Sequence, residues 1–129
     1  MNNLGRLSDV EMEVMQAVWG ITTPVTVAQL RVIFQDSKGW KTSTIATMLD
    51  RIIAKGFLCK EMKGKAYYYN ILATFEDYQR QEGRNILSHL YGGSIVNFVS
   101  ALTGDGNMSQ EDVAELREWF RNSVDEGVK

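Results

Sequence analysis

Two β-prone runs, residues 57–62 and 66–70, are separated only by Lys63-Gly64-Lys65 and follow directly on three short helical periodicities. A glycine-centred link of that length closes a hairpin. The fold therefore has to place a small basic-tipped hairpin against a helical platform, and the punctuation of the preceding helices shows what platform that is.

Ser8-Asp9-Val10-Glu11 has the S-x-x-E spacing of a capping box, so a first helix begins there. Val10, Val14, Ala17 and Val18 recur at i, i+4, i+7 and i+8, with Leu7 and Met15 beside them, and this face turns inward. Gly20 and Pro24, the only proline, end the helix. Thr26 caps a second helix to about Gln35, with Val27, Leu30 and Phe34 facing in, and Asp36-Ser37-Lys38-Gly39 reads as a turn. A third helix runs from Thr42 or Ser43 to Lys55 and is stopped by Gly56. Its apolar stripe is Ile45, Met48, Leu49, Ile52 and Ile53; the opposite face holds Ser43, Thr44, Ala46, Thr47, Asp50, Arg51 and Ala54. Three helices with a turn between the last two, then a hairpin, make a winged helix-turn-helix over residues 1–73.

Beyond Leu72 the pattern is helical again. Thr74-x-x-Asp77 caps a helix through Leu90, and Tyr91-Gly92-Gly93 breaks it. Ser94 opens a short apolar segment, Ile95, Val96, Phe98, Val99, Ala101 and Leu102, closed by Thr103-Gly104-Asp105-Gly106. Ser109-x-x-Asp112 starts a last helix to about Ser123, apolar at Val113, Leu116, Trp119 and Phe120. Three such short helices have too little mutual surface to stand alone, and residues 94–102 are apolar nearly all round. Folding back on the winged part would cover them, but a two-fold homodimer also supplies a second DNA half-site. The expected interface residues are Leu87, Leu90, Tyr91, Ile95, Phe98, Val99, Leu102, Leu116, Trp119 and Phe120. The expected fold is mainly α with a small β-hairpin wing: a winged helix-turn-helix (1–73) followed by a three-helix dimerisation arm (74–129).

A net charge of −2 speaks against nucleic acid only until it is divided along the chain. Residues 1–72 carry nine Lys/Arg against six Asp/Glu, whereas residues 73–129 carry five against ten. Within 37–65, seven basic residues face two acidic ones, which marks a surface for phosphates. Short side chains on the third helix let its backbone approach base edges, so Ser43, Thr44, Ala46 and Thr47 are the expected base contacts. Lys41, Arg51, Lys55, Lys63 and Lys65 are the expected phosphate contacts, which fix register without reading sequence. Trp40 either anchors the helix start or packs inward. Alternation puts Tyr67 and Tyr69 on one face of the hairpin and Tyr68 on the other, so one or two of them belong to the core rather than to a stacking platform.

Enzyme chemistry has little to stand on. His89 is the only histidine, Cys59 the only cysteine, and no glycine-rich phosphate loop or metal-ligand spacing occurs. No catalytic residue, metal or cofactor is expected; Cys59 reads as a half-buried strand residue. No run approaches the ~18 apolar residues of a membrane span, and residues 1–14 lack an apolar leader segment, so the expectation is a cytoplasmic chain with no membrane insertion.

These residues resemble the penicillinase-repressor and methicillin-resistance-repressor (BlaI/MecI/CopY) family. The likeness is carried by Leu7-Ser8-Asp9-Val10-Glu11 through Val14-Met15 and Trp19, by Thr44-Ile45-x-Thr47-Met48-Leu49-x-Arg51 with Lys55-Gly56, by Tyr67-x-Tyr69, by Leu90-Tyr91-Gly92-Gly93 and by Glu115-Leu116-Arg117. The resemblance implies a transcriptional repressor that binds a TACA/TGTA dyad of double-stranded DNA as a homodimer and controls resistance or transport genes. It also implies relief by a regulatory protease linked to a membrane sensor, which cuts within the dimerisation region. In β-lactam-responsive members the cut bond is Asn-Phe; the register from Leu90 puts it at Ala101–Leu102, and an Asn97-Phe98 pair stands four residues earlier. The paired C-x-C motifs of copper-responsive members are absent, and Ala46 stands where close relatives carry a long basic side chain. A winged protein-interaction module is the alternative function.

Overall fold

The structure is a computed structural model and describes residues 3–103 and 108–127, with side chains up to Asn122. The turn expected at 104–106 lies outside the described residues. The chain divides into two compact units, residues 1–83 and 84–129.

In the first unit, α1 (Asp9–Trp19), α2 (Val27–Phe34) and α3 (Thr42–Ala54) precede an antiparallel hairpin, β1 (Leu58–Lys63) and β2 (Ala66–Ile71). The capping box at Ser8 is complete: its hydroxyl accepts from the Glu11 amide, and the Glu11 carboxylate accepts from the Ser8 amide. Thr26 and Gln29 make the same reciprocal pair at the start of α2. Gly56, at φ 96°, turns the chain from α3 into β1, a conformation costly for any residue with a Cβ. At the hairpin tip Lys63 pairs with Ala66, so Gly64-Lys65 is a two-residue loop in which Gly64 alone takes positive φ, the pattern of a type II′ turn. Val25 adds a short third rung by exchanging amide hydrogen bonds with Tyr69 at 2.8 and 2.9 Å.

The core of this unit gathers Val14, Met15 and Val18 of α1, Leu30 and Phe34 of α2, Ile45, Leu49 and Ile52 of α3, and Phe57, Leu58 and Tyr69 around the hairpin. Phe57 is fully buried between Trp19 and Tyr78, with ring centroids 6.3 and 5.1 Å away. Tyr78 belongs to α4 (Phe75–Tyr91), whose first turns therefore pack with the winged unit. This is why the compact unit extends past residue 73, where composition changes.

One inward assignment on α1 is corrected. Val10 is 41% exposed and its neighbour Glu11 is buried instead, because Glu11 turns back to close the capping box. The Glu11 carboxylate also holds the Lys55 ammonium, which ties α1 to the end of α3. Burial alone would push the Glu11 carboxyl up, but the hydrogen bonds from Lys55 and Ser8 outweigh it and hold the group below its ordinary 4.5. A depressed pKa contributes stability above the unfolded value of 4.5 and loses it as the pH falls through the folded value. Glu11→Gln should therefore lower the melting temperature at neutral pH and flatten its acid decline below about pH 4.5, as read by thermal melts across that range.

The second unit contains the end of α4, α5 (Ile95–Thr103) and α6 (Gln110–Gly127). Gly92 and Gly93 take positive φ at the corner after α4, where Tyr91 and Phe98 meet edge to face at 5.2 Å. The Ser94 and Ser109 hydroxyls accept from the Asn97 and Asp112 amides and so cap α5 and α6. No residue of α5 is buried, and Leu90, Val96 and Trp119 are 72%, 74% and 59% exposed.

Candidate nucleic-acid interface

The outer face of α3 follows from the 3.6-residue period. Ile45, Met48, Leu49 and Ile52 turn to the core, so Ser43, Thr44, Thr47 and Arg51 are left outward and exposed, with Ala46 half-buried at their edge. Ser43, Thr44, Thr47, Met48 and Arg51 line a shallow depression of about 280 Å³. The Thr47 hydroxyl donates to the Ser43 carbonyl one turn back at 2.9 Å, which folds the side chain flat along the helix. Apart from Met48 and Arg51, the side chains that line it are short.

The start of α3 has a feature that periodicity did not reveal. Lys41 occupies the N-cap and makes no side-chain capping hydrogen bond, so the first amides of the helix keep free N–H groups beside a lysine. Both the helix dipole and the ammonium favour an anion there. Trp40 packs on Phe34 with ring centroids 5.0 Å apart, so packing is the role realised for it.

The seven cations of the basic tract fall into two groups. Lys38 pairs with Glu13 at 3.2 Å, Lys60 with Asp50 at 3.1 Å, and Lys55 with buried Glu11. Lys41, Arg51, Lys63 and Lys65 have no acidic partner among the described residues. Lys55, expected at a phosphate, is thus occupied inside its own chain, since buried Glu11 requires a cation. No spacing rule links residues 11 and 55, so only the packing of α1 on α3 could reveal this pair. Lys60 braces the hairpin against α3: its ammonium also lies 4.6 Å from the Tyr67 ring centroid, and the Asp50 hydrogen bond raises its pKa. Tyr69 is buried, which pushes its phenol up, while Tyr67 is 43% exposed near the tip. Cys59 is half-buried on β1, and His89 is exposed, with Nδ1 2.9 Å from the Asn85 carbonyl.

An outward helix face of short polar side chains, an uncapped helix start, and cations on helix and hairpin with no acidic partner among the described residues together make a surface that attracts anions. A model of the penicillinase repressor family matches residues 7–122. The chain belongs to the penicillinase repressor family. This family consists of DNA-binding transcriptional repressors and not of enzymes. The chain is 28% identical over 116 residues to the penicillinase repressor of Bacillus licheniformis, covering 90% of each. It is 26% identical over 116 residues to the methicillin resistance regulatory protein MecI of Staphylococcus aureus (strain N315), covering 90% of this chain and 94% of MecI. Among solved structures, the Bacillus licheniformis BlaI monomeric form in complex with the blaP half-operator superposes with a TM-score of 0.50 at 29% identity, covering 60% of this chain and 94% of that one. The winged-helix fold of the penicillinase repressor family accounts for the helices and hairpin of the first unit. No described helix is long and apolar enough to cross a membrane.

Proposed function

We propose that this chain is a repressor that binds a dyad-symmetric operator as a homodimer. The observation that carries the reading is the outward face of α3, where short Ser43, Thr44, Ala46 and Thr47 stand between the unpaired cations Lys41 and Arg51. In this reading the four small residues approach base edges in the major groove, while Lys41, Arg51, Lys63 and Lys65 and the free amides at the start of α3 hold phosphates. Support comes from the relative whose monomeric form is in complex with a half-operator.

The homodimer is supported by the apolar side chains that one chain leaves uncovered. Leu90, Ile95, Val96, Leu102 and Trp119 are each more than two-fifths exposed, and Leu87, Tyr91, Phe98, Val99, Leu116 and Phe120 are only half-covered. A second copy covers them with the same residues and brings a second reading helix to the dyad. Relief by signal-dependent proteolysis at Ala101–Leu102, in the last turn of α5, fits this design, since cutting there converts two linked half-site binders into weak separate ones. The protease would answer to a membrane sensor, and the controlled genes would be of the antibiotic-resistance or transport kind.

A gel-shift titration against the gene's own upstream region and a scrambled duplex, at two salt concentrations, tests the reading. The native region should bind at least ~10³-fold tighter, with both affinities falling as salt rises. Equal binding to the two duplexes, or none, would overturn it in favour of a winged protein-interaction module. Replacing Lys63 and Lys65 together by Ala should weaken both duplexes alike and reduce the slope of log affinity against log salt by about 2, leaving their ratio unchanged.

A further inference from the structure

At the foot of the hairpin the first unit holds a cavity of about 470 Å³, a volume that suits a small molecule. Trp19 and Gly20 line it from the end of α1, Ile71 from the end of β2, and Phe75 and Glu76 from the start of α4. None of these residues belongs to the outward face of α3 or to the hairpin tip, so operator reading leaves the cavity without a role. The Trp19 and Phe75 rings meet there with centroids 5.2 Å apart. The Trp19 indole N–H donates to the Ala73 carbonyl at 3.0 Å, which spends the ring's one polar group and fixes its orientation.

Three features make the cavity negative. The chain leaves α1 at its wall, and α1 has no basic residue in its last turn to offset the negative end of its dipole. Glu76 is exposed and has no cationic partner among the described residues; Arg80, one turn on, lies 3.8 Å from Asp77 instead. The two rings present faces on which the π electrons attract cations. The opposite pull, from the positive end of α4, is already met by Asp77, whose carboxylate accepts from the Thr74 amide at 3.0 Å. No lysine, arginine or histidine is among the residues that line the cavity.

We propose that this cavity binds a small monovalent organic cation with an apolar or aromatic body, of the aromatic quaternary ammonium kind. The body lies against Trp19, Ile71 and Phe75, and the charge is held by the Glu76 carboxylate, the ring faces and the end of α1. A neutral molecule of the same shape keeps the apolar contacts and loses the charge attraction. An anion is repelled, and a bare inorganic cation gains nothing from apolar walls that cannot replace its water. The site is independent of the operator reading and stands or falls without it.

The test titrates the full chain with benzyltrimethylammonium and follows the indole N–H signals of its three tryptophans by NMR, assigned by elimination with Trp40→Phe and Trp119→Phe. The Trp19 signal should shift saturably, with a dissociation constant of about 1 mM or below, while the Trp40 and Trp119 signals stay. N,N-dimethylbenzamide, a neutral probe of similar size, should bind at least about fivefold more weakly, and benzenesulfonate should not bind. Glu76→Gln, an exposed substitution, should weaken the ammonium about fivefold or more and leave the amide unchanged. Phe75→Leu removes one ring and keeps an apolar side chain; it should weaken the ammonium about threefold. No saturable shift, equal binding of the three probes, shifts of Trp40 or Trp119 as large as that of Trp19, or an ammonium affinity that Glu76→Gln leaves unchanged would overturn the proposal. If Glu76→Gln does not fold, Phe75→Leu decides alone, and an unchanged ammonium affinity there overturns it.

Discussion

Thr47→Arg is expected to bring the ratio of operator to scrambled-duplex affinity from about 10³ down to within about tenfold of unity, with the dimer and the melting temperature unchanged. Thr47 is exposed, so the substitution removes no core packing. Its hydroxyl lies along the helix on the Ser43 carbonyl, and the depression among Ser43, Thr44, Met48 and Arg51 is open only because this side chain is short. Arginine fills that space and holds α3 away from the base edges. It also adds a cation, so non-specific binding through phosphates persists or rises while specific binding falls. The two affinities therefore converge, one falling while the other holds or rises, a result that general unfolding does not produce. An unchanged operator affinity would remove this helix face from base reading.

Val96→Asp is expected to raise the dimer dissociation constant at least ~100-fold, because an isologous interface receives the new carboxylate twice and loses two apolar side chains. Val96 is 74% exposed in the single chain, so the carboxylate is solvated in the monomer and carries its cost only on pairing. Val99 is half-covered by its own chain and would mix folding with association. Sedimentation equilibrium reads the mass, and gel shifts should show dyad affinity falling to that of a half-site while half-site affinity holds. A Val96→Asp chain that remains fully dimeric would place the homodimer contact on another surface.

Much of the winged unit was legible because its signals are local. The capping box at Ser8, the cap at Thr26, the glycine after α3 and the Gly64 turn each act within four or five residues, and each marks an element boundary of the structure. The stripe of Ile45, Met48, Leu49 and Ile52 likewise determined which face of α3 points outward. Val10 was misplaced because periodicity treats a helix as a bare cylinder and does not know that the box glutamate folds back. The charge tract gathers seven cations but could not divide them into paired and unpaired, since ion pairing depends on distances between elements far apart in sequence.

The sequence by itself determined the order and type of the elements, the outward set on α3 and the basic hairpin tip, since these depend on interactions between near neighbours. The tertiary structure alone decided that Lys38, Lys55 and Lys60 are committed internally, that the start of α3 lacks a side-chain cap, and that residues 4–7 reach Tyr78 and Gln81 more than 70 positions away. The pairings among them join elements distant in sequence, as do the rings of Trp19 and Tyr78 that meet on buried Phe57, and no local rule contains that information.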